Sequence, residues 1–287
     1  MLKEMHFQLK HTSLAGLKWQ SPQSPEILSA VALHGWLDNA ATFCELCPKM
    51  DNMTITSLDL AGHGFSKHRP VGVFYHLWDY ALDVIEFLQT QRQSVWLIGH
   101  SMGGTVAMLV AALAPDKIRG LIMLDNIGPI TEEPETRVAT MQRAVQRMLK
   151  FKQSNGTRYK TQEDMITARM DGFTKLGYFA SSTLVQRGAY KEKDQWVWRH
   201  DGKLAFPSPY RMDEESVYSF INKVVCPTFV LIANDGIYKE KADFVEARAK
   251  HFSWVKLKWI DGGHHFHLEP DTSQRVAEEI RHFIDHN

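Results

Sequence analysis

Gly99-His100-Ser101-Met102-Gly103 sets a serine between two glycines, behind the apolar run Val95–Ile98 and ahead of a helical pattern. Such spacing suits a nucleophile held on a sharp turn. Glycines two positions away on each side let the turn close, and the next helix aims its N-terminal amides at negative charge growing beside the serine. Gly104 allows still closer packing. A second apolar run ends in His34-Gly35, which is expected to turn the chain so that the Trp36 N–H faces the same pocket as the Met102 N–H. Two amides so placed would hold an oxyanion.

A seryl hydroxyl attacks a carbonyl only when an imidazole takes its proton and a carboxylate orients that imidazole. The stretch "DGGHHFHLEP" offers His264, His265 and His267. His264 follows two glycines that let the loop turn inward, and is the expected base, whereas His265 and His267 read as packed or solvated. No Asp or Cys set stands beside these histidines in sequence, so no metal is expected. His34 is suited to holding its own loop by hydrogen bonding, and with His100 is counted among the pocket residues. For the carboxylate, the residues leave two candidates between Ser101 and His264: Asp125, closing "LIMLD", and Asp235, closing "FVLIAND" beside Gly236. Either could instead be only a cap or turn former.

Positioning these groups takes a framework, and the chain spells one. Strand patterns at Glu4–Lys10, Leu14–Trp19, Ile27–Leu33, Thr54–Leu58, Val95–Ile98 and Gly120–Leu124 alternate with helical ones at Tyr75–Gln91 and Met102–Ala114. After an interval the alternation resumes with a strand at Thr228–Ala233, a helix at Lys241–His251, a strand at Val255–Ile260 and a helix at Ser273–His286. Strand and helix in turn imply a mostly parallel sheet covered on both faces. The interval, 128–212, is charged and helical at Glu132–Lys152, then rich in aromatics and glycine. It reads as a helical lid inserted between core segments 1–127 and 213–287. Phe173, Tyr178, Phe179, Trp196 and Trp198 are its candidate wall residues, pointing to a small or medium apolar substrate; they could equally form the lid's own core.

The 33 basic residues balance the 33 acidic ones in this chain of 287, and no basic stripe is interleaved with aromatics, which argues against nucleic acid as a partner. No apolar run approaches the roughly eighteen residues of a membrane span. The start, Met1–Lys10, alternates like an edge strand rather than a signal peptide, so a cytosolic protein is expected, as monomer or homodimer. Three cysteines make no disulfide framework, and Cys44 and Cys47, although spaced C-x-x-C, lie in a stretch read as helical and buried.

Together with "DLAGHGFS" (Asp59–Ser66), these segments resemble the α/β-hydrolase superfamily, in the branch near epoxide hydrolases and haloalkane dehalogenases. "HGWLDNAATF" and "GGHHFHLEP" resemble a narrower group, the serine hydrolase-like proteins. The resemblance implies an eight-stranded α/β-hydrolase fold with the lid after strand six, and no cofactor. The departures matter. The neighbouring enzymes carry Asp where Ser101 stands, and a serine in their reactions would leave a stable ether, so acyl transfer from a small ester to water is the implied chemistry. The superfamily's usual acid follows the strand after the lid; counted from Pro227, that place holds Gly236, with Asp235 one residue early. Some members carry the acid at the end of the strand before the lid, where this chain has Asp125. The resemblance therefore favours Asp125, with Asp235 as the alternative.

Overall fold

The computed structural model describes residues 2–20, 28–51, 53–152 and 156–287. An eight-stranded sheet forms the centre, in the order β1-β2-β4-β3-β5-β6-β9-β10. Its strands are β1 (Leu2–Gln8), β2 (Ser13–Gln20), β3 (Leu28–Leu33), β4 (Met53–Asp59), β5 (Val95–His100), β6 (Ile118–Leu124), β9 (Thr228–Asp235) and β10 (Val255–Gly263). The pairings β1/β2 and β2/β4 are antiparallel and all others parallel. Ile27, expected to open the third strand, lies outside the described residues.

Burial explains the arrangement. β5 is buried at every position and β6 at all but Arg119, as strands covered on both faces must be, while β1 is largely exposed, as an edge strand should be. One face packs against α1 (Leu77–Gln89), α2 (Met102–Leu113) and α7 (Ala242–Ala249) through Val84, Phe87, Val106, Leu109 and Val245. The other packs against α8 (Pro270–Asp285), whose Val276, Ile280 and Phe283 meet Trp96, Phe229 and Ile260. The segment holding Cys44 and Cys47 folds as two short 3-10 turns, Ala40–Phe43 and Cys47–Lys49, rather than a regular helix, since Pro48 cannot donate into one. Both thiols are free, and burial pushes that of Cys44 up to about 11, which leaves it unreactive at neutral pH.

Between β6 and β9 the chain leaves the sheet. It forms α3 (Pro134–Lys150), α4 (Gln162–Met170), α5 (Tyr178–Gly188), a hairpin of β7 (Ala189–Glu192) and β8 (Gln195–Trp198), and then α6 (Glu214–Ile221), which packs against the core. The hairpin departs from the all-helical expectation. Trp196 and Trp198 stand two residues apart, the strand period, and Lys193 supplies the positive φ (55°) that its two-residue turn demands.

Candidate active site

β5 ends where Ser101 begins α2, and the backbone there is strained: Ser101 has φ 50° and ψ −121°. The flanking glycines show why no other residue fits. A Cβ on Gly99 would stand 2.4 Å from the Gly103 carbonyl oxygen, and one on Gly103 would stand 2.1 Å from that of Leu33. A Cβ on Gly104 would run into the Asn126 side chain at 2.8 Å. Gly35 lies over the serine, with its Cβ position 3.2 Å from that of Ser101. Trp36 and Met102 both line the cavity that contains Ser101, and among the described residues neither backbone N–H is taken up by a protein acceptor.

His264 arrives on the loop after β10, past a break in register between Ile260 and Gly263 that Gly262 makes with φ 133°. Its Nδ1 lies 2.5 Å from Asp125 Oδ2. Asp125 is fully buried and has φ 43°; its Oδ1 accepts from the Ala233 N–H at 3.1 Å and its Oδ2 from the Ile237 N–H at 3.1 Å. A Cβ on Gly236 would fall 2.3 Å from Asp125 Oδ2, so the carboxylate of one strand occupies the room left by the missing side chain of the next. Asp235 does not reach the histidine. It is exposed at the end of β9 and pairs with Lys239 Nζ at 2.8 Å, four residues on. In the structure the histidine meets Asp125 and not the alternative acid: the side chain one step early on the strand points to the other face.

The cavity above Ser101 measures about 910 Å³ and is lined by the core loops and the inserted block. Phe173 and Trp198 line it, as do His100 and His264. Four residues expected there do not. His34 is buried beneath the loop, its Nδ1 2.7 Å from the Gly35 carbonyl and its Nε2 accepting from the Leu60 N–H at 2.9 Å, so it is a strut. Trp196 packs on a small cluster within the inserted block, made of Met165, Ile166, Val185 and Ala189. Tyr178 faces outward and donates to Glu163, and Phe179 is half exposed on the same first turn of α5. Aromatic composition marks the inserted block but does not tell its inner face from its outer one. Conversely, Phe74, Trp78 and Tyr210 line the cavity and went unremarked in the sequence.

Asp38 was also missed, and His265, expected to be packed or solvated, is buried against it. Asp38, fully buried, accepts from His265 Nε2 at 2.9 Å and from Arg169 Nη2, reaching in from α4, at 2.9 Å. Burial pushes the Asp38 carboxyl up, but its charged partners outweigh that and hold it well below its ordinary value. Burial pulls His265 down from its ordinary value, although Asp38 opposes that shift, and the always-charged Arg169 guanidinium stands 2.9 Å from the same carboxylate. The aspartate that the local spacing of the histidines lacked thus comes from the "GWLDN" loop. The only sequence signal for it was the pairing of two otherwise unexplained polar residues in the two segments that carry the resemblance. His100, from the nucleophile turn, completes the group: its Nε2 donates to the His264 carbonyl at 2.9 Å, and its Nδ1 stands 3.7 Å from Asp38 Oδ2.

A family model for the α/β hydrolase fold matches residues 31–271. A serine hydrolase-like protein of Dictyostelium discoideum is 29% identical, covering 94% of this chain and 78% of the relative. A serine hydrolase-like protein of Danio rerio is 27% identical, covering 94% and 85%. Among solved structures, a hypothetical protein of Pseudomonas aeruginosa PAO1 is 33% identical, covers 99% of both chains and superposes with a TM-score of 0.91.

Proposed function

This chain belongs to the α/β-hydrolase fold family, and on that premise we propose that it is a serine hydrolase that cleaves small to medium carboxylic esters through an acyl-enzyme. The observation that carries the reading is the 2.5 Å contact between His264 Nδ1 and the buried Asp125 carboxylate, beside a strained Ser101 that lines the same cavity. A carboxylate on Nδ1 fixes the tautomer that leaves Nε2 free to accept a proton. Ser101 Oγ bonds to the ester carbonyl carbon while His264 Nε2 takes the hydroxyl proton. The carbonyl π electrons move to oxygen, where the Trp36 and Met102 amides receive the charge. The tetrahedral centre then expels the alkoxide, which leaves with the proton from His264. Water attacks the acyl-serine with His264 again as base, and the acid departs. The cavity walls, with Phe74, Trp78, Ile130 and Tyr210, favour an apolar acyl or alcohol portion.

A fluorophosphonate probe separates this reading from that of a silent ligand-binding member. Ser101 is expected to be labelled, and Ser101→Ala to abolish labelling. An unlabelled wild-type chain beside a labelled control hydrolase would sink the enzyme reading. Thioesters, lactones and β-diketones present the same carbonyl chemistry, and a substrate panel of matched acyl length ranks them against simple esters. Among the described residues no helix is long and apolar enough to cross a membrane.

A further inference from the structure

His100 Nδ1 is fully buried and has no hydrogen-bond partner. Because Nε2 donates to the His264 carbonyl, which can only accept, the proton of the neutral ring sits on Nε2 and Nδ1 presents a bare lone pair. That lone pair faces Asp38 Oδ2 at 3.7 Å, an acceptor facing an acceptor. Such an arrangement leaves a buried acceptor unsatisfied, and a cation between the two atoms would satisfy it. His265 Nε2 lies 2.9 Å from the same oxygen, and the three atoms are all within 4.8 Å of one another. Gly35 keeps the spot open, since a Cβ there would fall 3.0 Å from His100 Nδ1 and 3.3 Å from Asp38 Oδ2.

We propose that Asp38, His100 and His265 form a binding site for a divalent transition metal of the zinc type, which competes with the Arg169 guanidinium for Asp38. Two ligand atoms each about 2.1 Å from zinc stand roughly 3.4–3.6 Å apart at tetrahedral to trigonal angles, close to the His100–Asp38 spacing. The His265–Asp38 pair has to open by about half an ångström to reach that value. Two imidazoles and one carboxylate suit zinc, cobalt or nickel and supply too few oxygens for calcium or magnesium. All three residues line the large cavity, which gives the ion a path in and leaves a fourth position for water. The His264 carbonyl that holds His100 Nε2–H is the outer partner that aims Nδ1 inward. On binding, the metal takes the His265 Nε2 lone pair, and the proton from that atom moves to the unpartnered Nδ1 or leaves to solvent. Arg169, at the last turn of α4, then loses its buried counter-ion.

The site stands independently of the hydrolase reading, because metal binding is read without turnover. Co2+ is titrated into the full chain, followed by its visible d–d bands, and then displaced with Zn2+. The same titration is run on Asp38→Asn, His265→Gln and Arg169→Gln, each checked for a native circular-dichroism spectrum. One Co2+ per chain, displaced by Zn2+, is expected in the wild type. Loss of a ligand should weaken binding at least about 100-fold, more than the roughly 10–100-fold typical of outer-shell changes. Arg169→Gln, which removes the competing cation and no ligand, should bind more tightly. Binding that His265→Gln leaves unchanged overturns the proposal, as does the absence of Co2+ bands in both the wild type and Arg169→Gln.

Discussion

At the scale of single residues, the two aspartates divide by what surrounds them. Asp125 has two backbone N–H donors and an imidazole, while Asp235 has a solvent-exposed lysine. Asp125→Asn is therefore expected to lower kcat for p-nitrophenyl acetate on the order of 10⁴-fold, through loss of the required His264 tautomer. Asp235→Asn should leave it near wild type, because an exposed i,i+4 pair contributes little. The reverse result would move the acid to the other strand. Ser101, its glycines and His264 were legible in sequence because a tight turn has few chemical solutions. The choice of acid was legible only through the glycine at 236. The Asp38–His265 contact was not legible, since it joins loops 227 positions apart and depends on the fold to close it.

At the scale of elements, the inserted block is fastened to the core along α4 and α5. Arg187, near the end of α5, donates from Nη2 to Asp59 at 2.7 Å and from Nη1 to Glu4 at 2.6 Å. The Asn39 side chain donates to the Leu184 carbonyl at 2.9 Å, and Glu269 accepts from the Gly177 N–H at 2.7 Å. Asp59 is fully buried whereas the Glu4 side chain is 43% exposed, so the two carboxylates are not equivalent. Arg187→Met should cost about 3–5 kcal/mol in urea unfolding by stranding the Asp59 charge, and Glu4→Gln less than about 1 kcal/mol. Equal losses would mean that the exposed partner carries the clamp. Long periodic helices such as α1 and α8 were legible from their apolar spacing. The β7–β8 hairpin was not, because four-residue strands inside a charged, aromatic stretch offer too short a period to stand out.

Over the whole molecule, an unusual number of histidines are buried. His34, His63, His100 and His267 are all at or near zero exposure, and burial lowers the pKa of each from its ordinary value of 6.5. Each is held toward its neutral form in the fold and binds a proton more readily when the chain unfolds. The unfolded state then binds more protons, so stability falls as pH drops below 6.5, by up to about 1.4 kcal/mol per pH unit for each group. Urea midpoints should fall modestly from pH 7.5 to 6.5 and about three times as much from 6.5 to 5.5. A flat profile would mean that these rings are charged or solvated in the fold. Balanced charge and the strand-helix rhythm were enough to read the core architecture, because alternation along the chain translates directly into a parallel sheet. Which of the inserted aromatics turn inward was not in the rhythm, since it depends on how the block is clamped.

The carboxylate of Asp125 lies where a Gly236 side chain would stand, so the two positions share one volume. A chain with Asp125 and any side chain at 236 is overpacked there, because a Cβ at 236 would fall 2.3 Å from Asp125 Oδ2. Position 236 is thus sterically coupled to 125, and a substitution at either one is felt at the His264 imidazole that Asp125 meets.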